Sequence, residues 1–189
     1  MSAPVKSGKS PKWAMLIDTT KCVGCLACVA ACHNQNELPV TEFFNRVEEQ
    51  EFGRFPNYNR RFLPMQCQHC DNPPCVSVCP TGASYKRSDG IVAIDTQRCI
   101  GCKYCILSCP YKARIINKEH GFVHKCGFCA VLLHNNALPA CVGTCPTGVR
   151  VFGDLNDPNS EISKLAASKK VVQIGKDLNT KPSIYYIIG

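Results

Sequence analysis

Sixteen cysteines constrain this chain more than any other feature, because they fall into four groups of four and none lies outside a group. Groups one and three have the spacing C-x2-C-x2-C-x3-C, whereas the gap before the third cysteine widens to x4 in group two and x11 in group four. Proline directly follows groups two, three and four. The groups are Cys22, Cys25, Cys28 and Cys32; Cys67, Cys70, Cys75 and Cys79; Cys99, Cys102, Cys105 and Cys109; and Cys126, Cys129, Cys141 and Cys145.

This spacing is typical of bacterial ferredoxins, in which four thiolates hold each [4Fe–4S] cluster. Sixteen cysteines match four such clusters with none left over, and none of the five histidines is needed as a ligand. Secreted disulfide scaffolds do not repeat this pattern. Structural zinc prefers two C-x2-C pairs separated by a longer loop, which only group four resembles. The sequence therefore favours iron–sulfur chemistry over disulfides or zinc.

The net charge of +8 would by itself suggest a nucleic-acid or anionic-membrane partner. Four clusters of about −2 each would contribute about −8, so we expect the loaded protein to be nearly neutral. A cation precedes the first cysteine of three groups, at Lys21, Arg98 and Lys125. These cations either offset cluster charge or lie at the surface, and the sequence leaves both possibilities open.

We find no targeting or membrane segment in the sequence. Residues 1–12 form a polar, basic leader without the apolar core of a secretory signal. Arg60-Arg61 lies too far along the chain from residue 1 to be a twin-arginine signal. Ser7-Gly8-Lys9-Ser10 lacks the earlier glycine of a phosphate-binding loop. Since nothing approaches the roughly 20 apolar residues of a membrane span, we expect another subunit to make any membrane contact.

The predicted secondary structure is a series of short elements. We expect a strand at Trp13–Asp18, a helix at Leu26–Gln35 and a hairpin or extended insertion over residues 42–61. Residues 91–95 are expected to be the returning strand of a second hairpin. A later helix is expected to begin at Asn159 or Ser160 and to end near Lys170. The fold class is therefore α+β, with small hairpins and short helices.

The pairing of the groups can be inferred from two-cluster ferredoxins, in which the fourth cysteine of each run ligates the other run's cluster. A geometric reason is that the fourth cysteine has entered a helix that points away. Groups two and three, joined by a hairpin, form one such unit. Groups one and four pair by analogy, because Cys-Pro-Thr-Gly occurs at both Cys79 and Cys145. Pairing one with two and three with four is less attractive, since it breaks the hairpin unit.

On this pairing the four ligand sets each combine three cysteines of one group with one of another. They are Cys22, Cys25, Cys28 and Cys145 (cluster 1); Cys67, Cys70, Cys75 and Cys109 (cluster 2); Cys99, Cys102, Cys105 and Cys79 (cluster 3); and Cys126, Cys129, Cys141 and Cys32 (cluster 4). No catalytic residue is expected.

The same pairing predicts two ferredoxin-like modules, one inserted within the other. Module A comprises residues 13–40 and 115–153, and module B comprises residues 64–114. Residues 41–63 are an insertion, and residues 154–189 are a C-terminal tail that contacts a partner. The apolar end of the tail is expected to pack either on a partner or on this chain. The insertion offers partner contacts, or else local core, at Phe52, Phe55, Tyr58, Arg60 and Phe62.

Two further sets of residues are expected to support the clusters. Gly24, Gly101 and Gly127 are expected to let backbone amides approach the sulfur atoms closely. Apolar side chains are expected to keep water away from the clusters at Val23, Val76, Ile100 and Ile106.

The order and spacing of the four groups resemble the iron–sulfur subunits of the dimethyl sulfoxide reductase family, and among them those of polysulfide, thiosulfate and tetrathionate reductases. The resemblance runs from about residue 13 to residue 186. The stretches that carry it are CVGCLACVAACHNQNELP, QCQHCDNPPCVSVCPTGASY, CIGCKYCILSCPY, PACVGTCPTGVRVFGDLNDPNS and TKPSIYY.

The resemblance implies a non-catalytic electron-transfer subunit with four [4Fe–4S] clusters. Its partners would be a molybdenum or tungsten bis(pyranopterin) catalytic subunit, facing module A, and a quinone-interacting integral membrane subunit, facing module B. The complex would lie at the membrane through its partner, on the periplasmic face after co-export with a twin-arginine partner, or alternatively in the cytoplasm.

Two other functions are weighed against this one. A free-standing polyferredoxin would have the same ligands, but it would need neither the long insertion nor the ligand-free tail. An iron–sulfur regulator that binds nucleic acid would be suggested only by the positive net charge, and the negative charge of the clusters offsets most of that excess.

Overall fold

The computed structural model describes residues 10–168 and 171–189, and it confirms a mixed fold of short helices and strands. Residues 1–9, which contain most of the predicted leader and Ser7-Gly8-Lys9, lie outside the described residues. The predicted helix end at Lys170 lies outside them as well. The helices are α1 Ala27–Gln35, α2 Pro74–Ser77, α3 Tyr104–Leu107, α4 Ala130–His134, α5 Ala140–Gly143 and α6 Glu161–Ser168. The strands are β1 Trp13–Asp18, β2 Asn45–Arg54, β3 Asn57–Gln66, β4 Ser84–Lys86, β5 Val92–Ile94, β6 Ile115–Ile116, β7 Val123–His124, β8 Arg150–Asp154 and β9 Ile184–Ile187.

The largest sheet has β1 at its centre, paired antiparallel with β8 and parallel with β9. All six residues of β1 are buried, which explains why its sequence is almost continuously apolar. Met15 and Ile17 belong to the main hydrophobic core on one face of the sheet. Ala14 and Leu16 pack on the other face against Ile162 of α6. The predicted strand at 13–18 is therefore confirmed as the central strand of this sheet.

The apolar end of the tail lies within this sheet as β9. Ile184 and Tyr186 are fully buried, and the hydroxyl of Tyr186 donates to the Pro64 carbonyl oxygen at 3.2 Å. Of the two alternatives that the sequence left open for this run, packing on its own chain is the one observed.

Helix α6 begins as predicted, because Ser160 caps it. The Ser160 hydroxyl oxygen accepts from the backbone N–H of Ser163 at 3.2 Å, which satisfies one of the free donors at the helix start. The cap is buried, and its hydroxyl donates to the Asp154 carbonyl oxygen at the end of β8. Capping therefore also fixes the helix to the sheet.

A long hairpin, β2–β3, forms the predicted insertion and runs on to Gln66. Its base is buried at Leu63 and Met65, whereas Phe55 at its tip is 96% exposed. Phe52 and Tyr58 beside the tip are also exposed. The tip aromatics are therefore not local core within this chain.

The two remaining aromatic and arginine candidates of the hairpin lie closer to its base. Phe62 packs against Gly24 near group one, and the Arg60 guanidinium lies 5.5 Å from the Phe62 ring centre. Phe62 therefore serves as local core, the second of the two roles considered for it.

Two small hairpins complete the fold. The predicted hairpin before group three is confirmed as β4–β5, in which Ser84 pairs with Ile94. Hairpin β6–β7 follows group three and leads into group four. Between residues 10–168 and 171–189 no helix combines the length and apolarity that a bilayer crossing requires.

Buried polar contacts join the segment around group two to that around group four. Lys125 Nζ donates to the Val92 carbonyl oxygen of β5 and to that of Cys126, the latter at 2.8 Å. His69 stacks on Phe128 with ring centres 3.7 Å apart. Burial, followed by the charge of Lys125, lowers the pKa of His69 well below its usual value, so this histidine is a neutral packing group.

Candidate functional site

Three cavities are each lined by four cysteines, and each set combines cysteines from two groups. In every case three come from one group and the remaining one is the fourth cysteine of another. The sets correspond to those predicted for clusters 1, 2 and 4. They are Cys22, Cys25, Cys28 and Cys145; Cys67, Cys70, Cys75 and Cys109; and Cys126, Cys129, Cys141 and Cys32.

Of the set predicted for cluster 3, Cys79 and Cys99 lie near Cys105. Burial raises the pKa of Cys105, and the neighbouring thiols of Cys99 and Cys79 add to this rise. Cys99 Sγ also accepts a hydrogen bond from the backbone N–H of Val123 at 3.4 Å. The remaining member, Cys102, is exposed.

Short helices position the third cysteine of each group. Cys28 lies on α1, Cys75 on α2, Cys105 on α3 and Cys141 on α5. A helix at this point directs the third thiol inward while the preceding loop presents the first two.

The expectation that the fourth cysteine has entered a helix is correct only for Cys32 on α1. Cys79, Cys109 and Cys145 each lie two residues beyond the end of their helix. The reason is the proline that follows each of them, since a residue before proline is disfavoured in the α conformation. Cys32 is followed by His33, and its helix continues.

The thiol groups fit iron–sulfur clusters better than the two rival interpretations. All sixteen cysteines lie in the described part of the chain and all are free thiols. A single zinc ion would require its sulfur ligands at about 2.3 Å from one point. Within the described ranges no three histidine, cysteine, aspartate or glutamate side chains converge in that way. Four thiols spaced around a cavity instead match a multinuclear cluster.

Burial keeps several of these thiols protonated until metal binds. Burial, with neighbouring thiols adding to it, raises the pKa of Cys32 and of Cys70 to about 12. Burial likewise raises the pKa of Cys141 to about 11 and that of Cys126 well above its usual value. Because metal ligation requires thiolates, occupation of these sites must release protons.

Cys79 and Cys145 show the opposite behaviour. Burial alone would raise the pKa of each thiol, but hydrogen bonds from nearby backbone N–H groups and from a threonine hydroxyl lower it overall. For Cys79 the backbone donor is Ser84, at 3.3 Å, and the hydroxyl belongs to Thr81. The repeated Cys-Pro-Thr-Gly sequence therefore builds the same local thiolate-stabilising loop twice.

Two glycines at the cluster loops are required by the backbone and by packing. Gly24 has φ +69°, and a Cβ there would lie 2.5 Å from the Phe62 ring. Gly101 has φ +67°, and its Cβ would lie 2.3 Å from the Gly121 carbonyl oxygen. Gly127 has neither constraint. The close approach at the first two positions is therefore to protein atoms. Burial raises the pKa of Cys22, and the nearby backbone N–H of Gly24 partly offsets that rise.

The predicted shielding residues behave differently from one another. Val76 and Ile106 are half-buried and pack with Cys75 and Cys105. Val23 and Ile100, by contrast, are 60% and 67% exposed, although Val23 also lines the cavity of Cys22 and Cys145.

Of the three cations that precede a group, only Lys125 is buried, whereas Lys21 and Arg98 are exposed. The sequence interpretation missed two other buried cations, Arg114 and Arg150. Arg114 lines the cavity of Cys67 and Cys75, and Arg150 lines that of Cys22 and Cys145. The sequence signal that could have identified these two arginines is Cys-Pro-x3-Arg, which begins at the last cysteine of both group three and group four.

Comparison with known families agrees with this geometry. The chain matches the 4Fe-4S dicluster domain over residues 58–155, and a second 4Fe-4S dicluster domain model over residues 21–83. The two matches contain all four cysteine groups, so two dicluster units account for four clusters.

Several curated proteins are similar along most of their length. The B subunit of tetrathionate reductase from Salmonella typhimurium is 41% identical over 98% of this chain and 76% of its own. The B subunit of selenate reductase from Mesobacillus selenatarsenatis is 40% identical over 93% and 72%. The B subunit of sulfite dehydrogenase from Allochromatium vinosum is 41% identical over 92% and 82%. These relatives are named as subunits of complexes, which separates the chain from free-standing polyferredoxins. The chain belongs to the 4Fe-4S dicluster family and, within it, to the non-catalytic iron–sulfur electron-transfer subunits of reductase complexes.

Proposed function

We propose that this chain relays single electrons between a quinone-linked membrane subunit and a molybdenum or tungsten pterin catalytic subunit, in a reductase of the polysulfide, thiosulfate or tetrathionate type. The observation that carries the proposal is the set of cysteine-lined cavities that follow one another through the molecule. Each bound [4Fe–4S] cluster would supply one-electron redox chemistry. The similarity to a tetrathionate reductase subunit supports the class of substrate.

The proposed ligands are the four predicted sets, and three observations support them. Each of the three cavities contains four thiols, each combines three cysteines of one group with the fourth cysteine of another, and the thiols of Cys79 and Cys145 are held by matching loops. On these ligand sets we propose that module B, built from groups two and three, is inserted within module A, built from groups one and four.

The order of the four sites follows from contacts between their cysteines. Arg150 lies between Cys28 of set 1 and Cys141 of set 4. Cys126 of set 4 packs against Cys67 and Cys70 of set 2.

Arg114 in turn lies next to Cys75 of set 2 and near Cys105 of set 3. The electron path in the proposal therefore runs 1–4–2–3, with sites 1 and 3 at its two ends.

The two ends carry the exposed cysteines of the chain, Cys25 and Cys102. Exposed apolar side chains flank both, with Leu26 beside Cys25, and Tyr104 and Leu107 beside Cys102. Aromatic and apolar surface beside an exposed ligand suits a docking face that excludes water when a partner binds. We assign the Cys25 end to the catalytic subunit and the Cys102 end to the membrane subunit, in keeping with the family resemblance.

We further propose that the hairpin tip with Phe55 contacts a partner, as do the exposed parts of the tail. The complex would be held at the membrane by its partner and would reach the periplasmic face by co-export with a twin-arginine subunit. A cytoplasmic location is the alternative, and labelling of exposed lysines in intact cells by a reagent that does not cross the cytoplasmic membrane would separate the two.

Replacing Cys102 tests the proposed path. Cys102→Ser in the intact complex should convert or delete one cluster, seen by electron paramagnetic resonance, and slow quinone-dependent turnover. Turnover supported by a small artificial electron donor that feeds the catalytic subunit directly should persist. Gln97→Ser, an exposed change five residues earlier, is the matched control. Undiminished quinone-dependent turnover with the cluster gone would remove set 3 from the path.

A further inference from the structure

Two arginines occupy equivalent positions in the two halves of the molecule. Arg114 follows Cys109 by five residues, Arg150 follows Cys145 by five, and both come after Cys-Pro. Both are buried, with 3% and 4% of their surfaces exposed. Burying a guanidinium is costly unless an anion or several acceptors compensate, so this repetition calls for a common cause.

Each guanidinium lies between the third cysteines of the two groups that form its module. Arg150 Nη2 donates to Cys28 Sγ at 3.6 Å, and Arg150 Nη1 donates to Cys141 Sγ at 3.9 Å. Arg114 Nη2 donates to Cys75 Sγ at 2.9 Å, and Cys105 is its second neighbouring thiol. In both halves the two cysteines belong to different proposed clusters, and both lie on short helices that face the arginine.

Neutral oxygen atoms of the protein do not balance these charges. Arg150 donates to the side-chain oxygen of Asn45 at 2.9 Å, and Arg114 donates to the hydroxyl of Ser84 at 2.7 Å. Among the residues that the structure describes, no carboxylate lies within 4 Å of either guanidinium. Two buried N–H positions of Arg114, at Nε and Nη1, have no protein acceptor. The anions that remain are the cysteine sulfurs and what they bind.

We propose that Arg114 and Arg150 are each a shared counter-charge for the two clusters of one module, raising the reduction potentials of both. The inference rests on the proposed ligand sets. One-electron reduction by an external reductant adds one negative charge beside a guanidinium that keeps its proton, since arginine is not deprotonated in proteins. A fixed cation close to that charge favours the reduced state in a low-dielectric interior. Because one arginine faces two sites, it acts on a pair of clusters.

The test is a redox titration with dithionite, followed by electron paramagnetic resonance, on the loaded chain in its complex. In Arg150→Gln we expect the equilibrium constant for reduction of the two clusters of module A to fall about tenfold, or about 59 mV for a one-electron couple. The two clusters of module B should keep their potentials. Arg114→Gln should give the reverse pattern, whereas Arg150→Lys and Arg114→Lys, which keep the charge, should shift less than the glutamine variants.

Arg98→Gln is the matched control, because Arg98 is adjacent to Cys99 but exposed, so solvent and salt screen its charge. Its potentials should stay close to those of the unmodified protein. Unchanged potentials in Arg150→Gln with full iron content would overturn the proposal, as would a shift confined to one cluster of the pair.

Variants that lose clusters also test the counter-charge proposal. Loss of iron from Arg150→Gln but not from Arg150→Lys supports a counter-charge, since the lysine variant keeps the positive charge in the same cavity. Loss from both variants contradicts it, because the fork geometry of arginine would then be what the site needs. Failure of the four-cluster assignment on which the inference rests would be seen separately, as fewer than four clusters in the unmodified protein.

Discussion

The proposed modules A and B use the same loop chemistry but differ in what holds them together. Strands of the proposed module A join the tail strand β9 in the β1–β8–β9 sheet, whose core includes the fully buried side chains of Ile17, Ile184 and Tyr186. Around groups two and three, the proposed module B has only the three-residue strands β4 and β5 beyond the base of the long hairpin, and about half of the buried core members there are cysteines. We therefore expect the clusters to supply redox chemistry in module A, whereas in module B they also take the place of part of a hydrophobic core.

The largest expected difference between the modules appears when the clusters are removed. Metal ligation contributes directly to folding where the site does not exist in the unfolded chain. Anaerobic chelation should therefore leave amide hydrogens of β1, β8 and β9 protected, while those of β4, β5 and α3 exchange faster by at least about tenfold. Hydrogen exchange with mass spectrometry measures both in one sample. Equal loss of protection in the two modules would contradict the comparison.

A second effect is expected from a cavity in the core beside the β1–β8–β9 sheet. Ile184→Ala removes a fully buried side chain at the junction of β9 and β1, and should lower the free energy of unfolding by about 2–5 kcal/mol. Leu107→Ala is the control, since Leu107 is 81% exposed and its removal should cost within about 0.5 kcal/mol. Denaturant unfolding followed by circular dichroism compares the two. A shift for Ile184→Ala as small as that of the control would mean that β9 is not part of the core.

The smallest expected effect concerns the cap that joins α6 to the sheet. Ser160→Ala removes the acceptor for the Ser163 N–H and should cost about 1 kcal/mol. Asn159→Ala, at the neighbouring exposed position, should change stability much less. Thermal unfolding of both variants gives the comparison, and cluster content should be the same in both. A larger cost for Asn159→Ala would mean that Ser160 is not the residue that caps the helix.

Local patterns in the sequence predicted much of the fold. The apolar run Trp13–Asp18, helix α1 and the hairpin β2–β3 follow from periodicity and turn residues over short distances. The parallel pairing of β1 with β9 could not be predicted, since it joins the two ends of the chain and no local pattern specifies it. The short helices α2, α3 and α5 ended earlier than expected because of the proline after each fourth cysteine.

The candidate site, like the fold, could be predicted from the sequence only in part. Cysteine spacing was sufficient to propose four ligand sets, since thiolates and their spacing are the chemistry of the cluster. The role of Arg114 and Arg150 depends on which helices face each other across a cavity, and the repeated Cys-Pro-x3-Arg pattern acquires a meaning only there. Lys125 was one of three equivalent cations in the sequence, and only the packing of β5 against group four shows that it is buried.

The most direct test of the central claim is metal analysis of the gently purified chain, handled without oxygen. We predict about 16 iron atoms per chain, from four clusters of four, with little zinc. Retention of about one molybdenum or tungsten atom with a large partner would support the proposed complex. About four zinc atoms per chain would contradict the central claim, because the same sixteen thiolates would then be serving single ions.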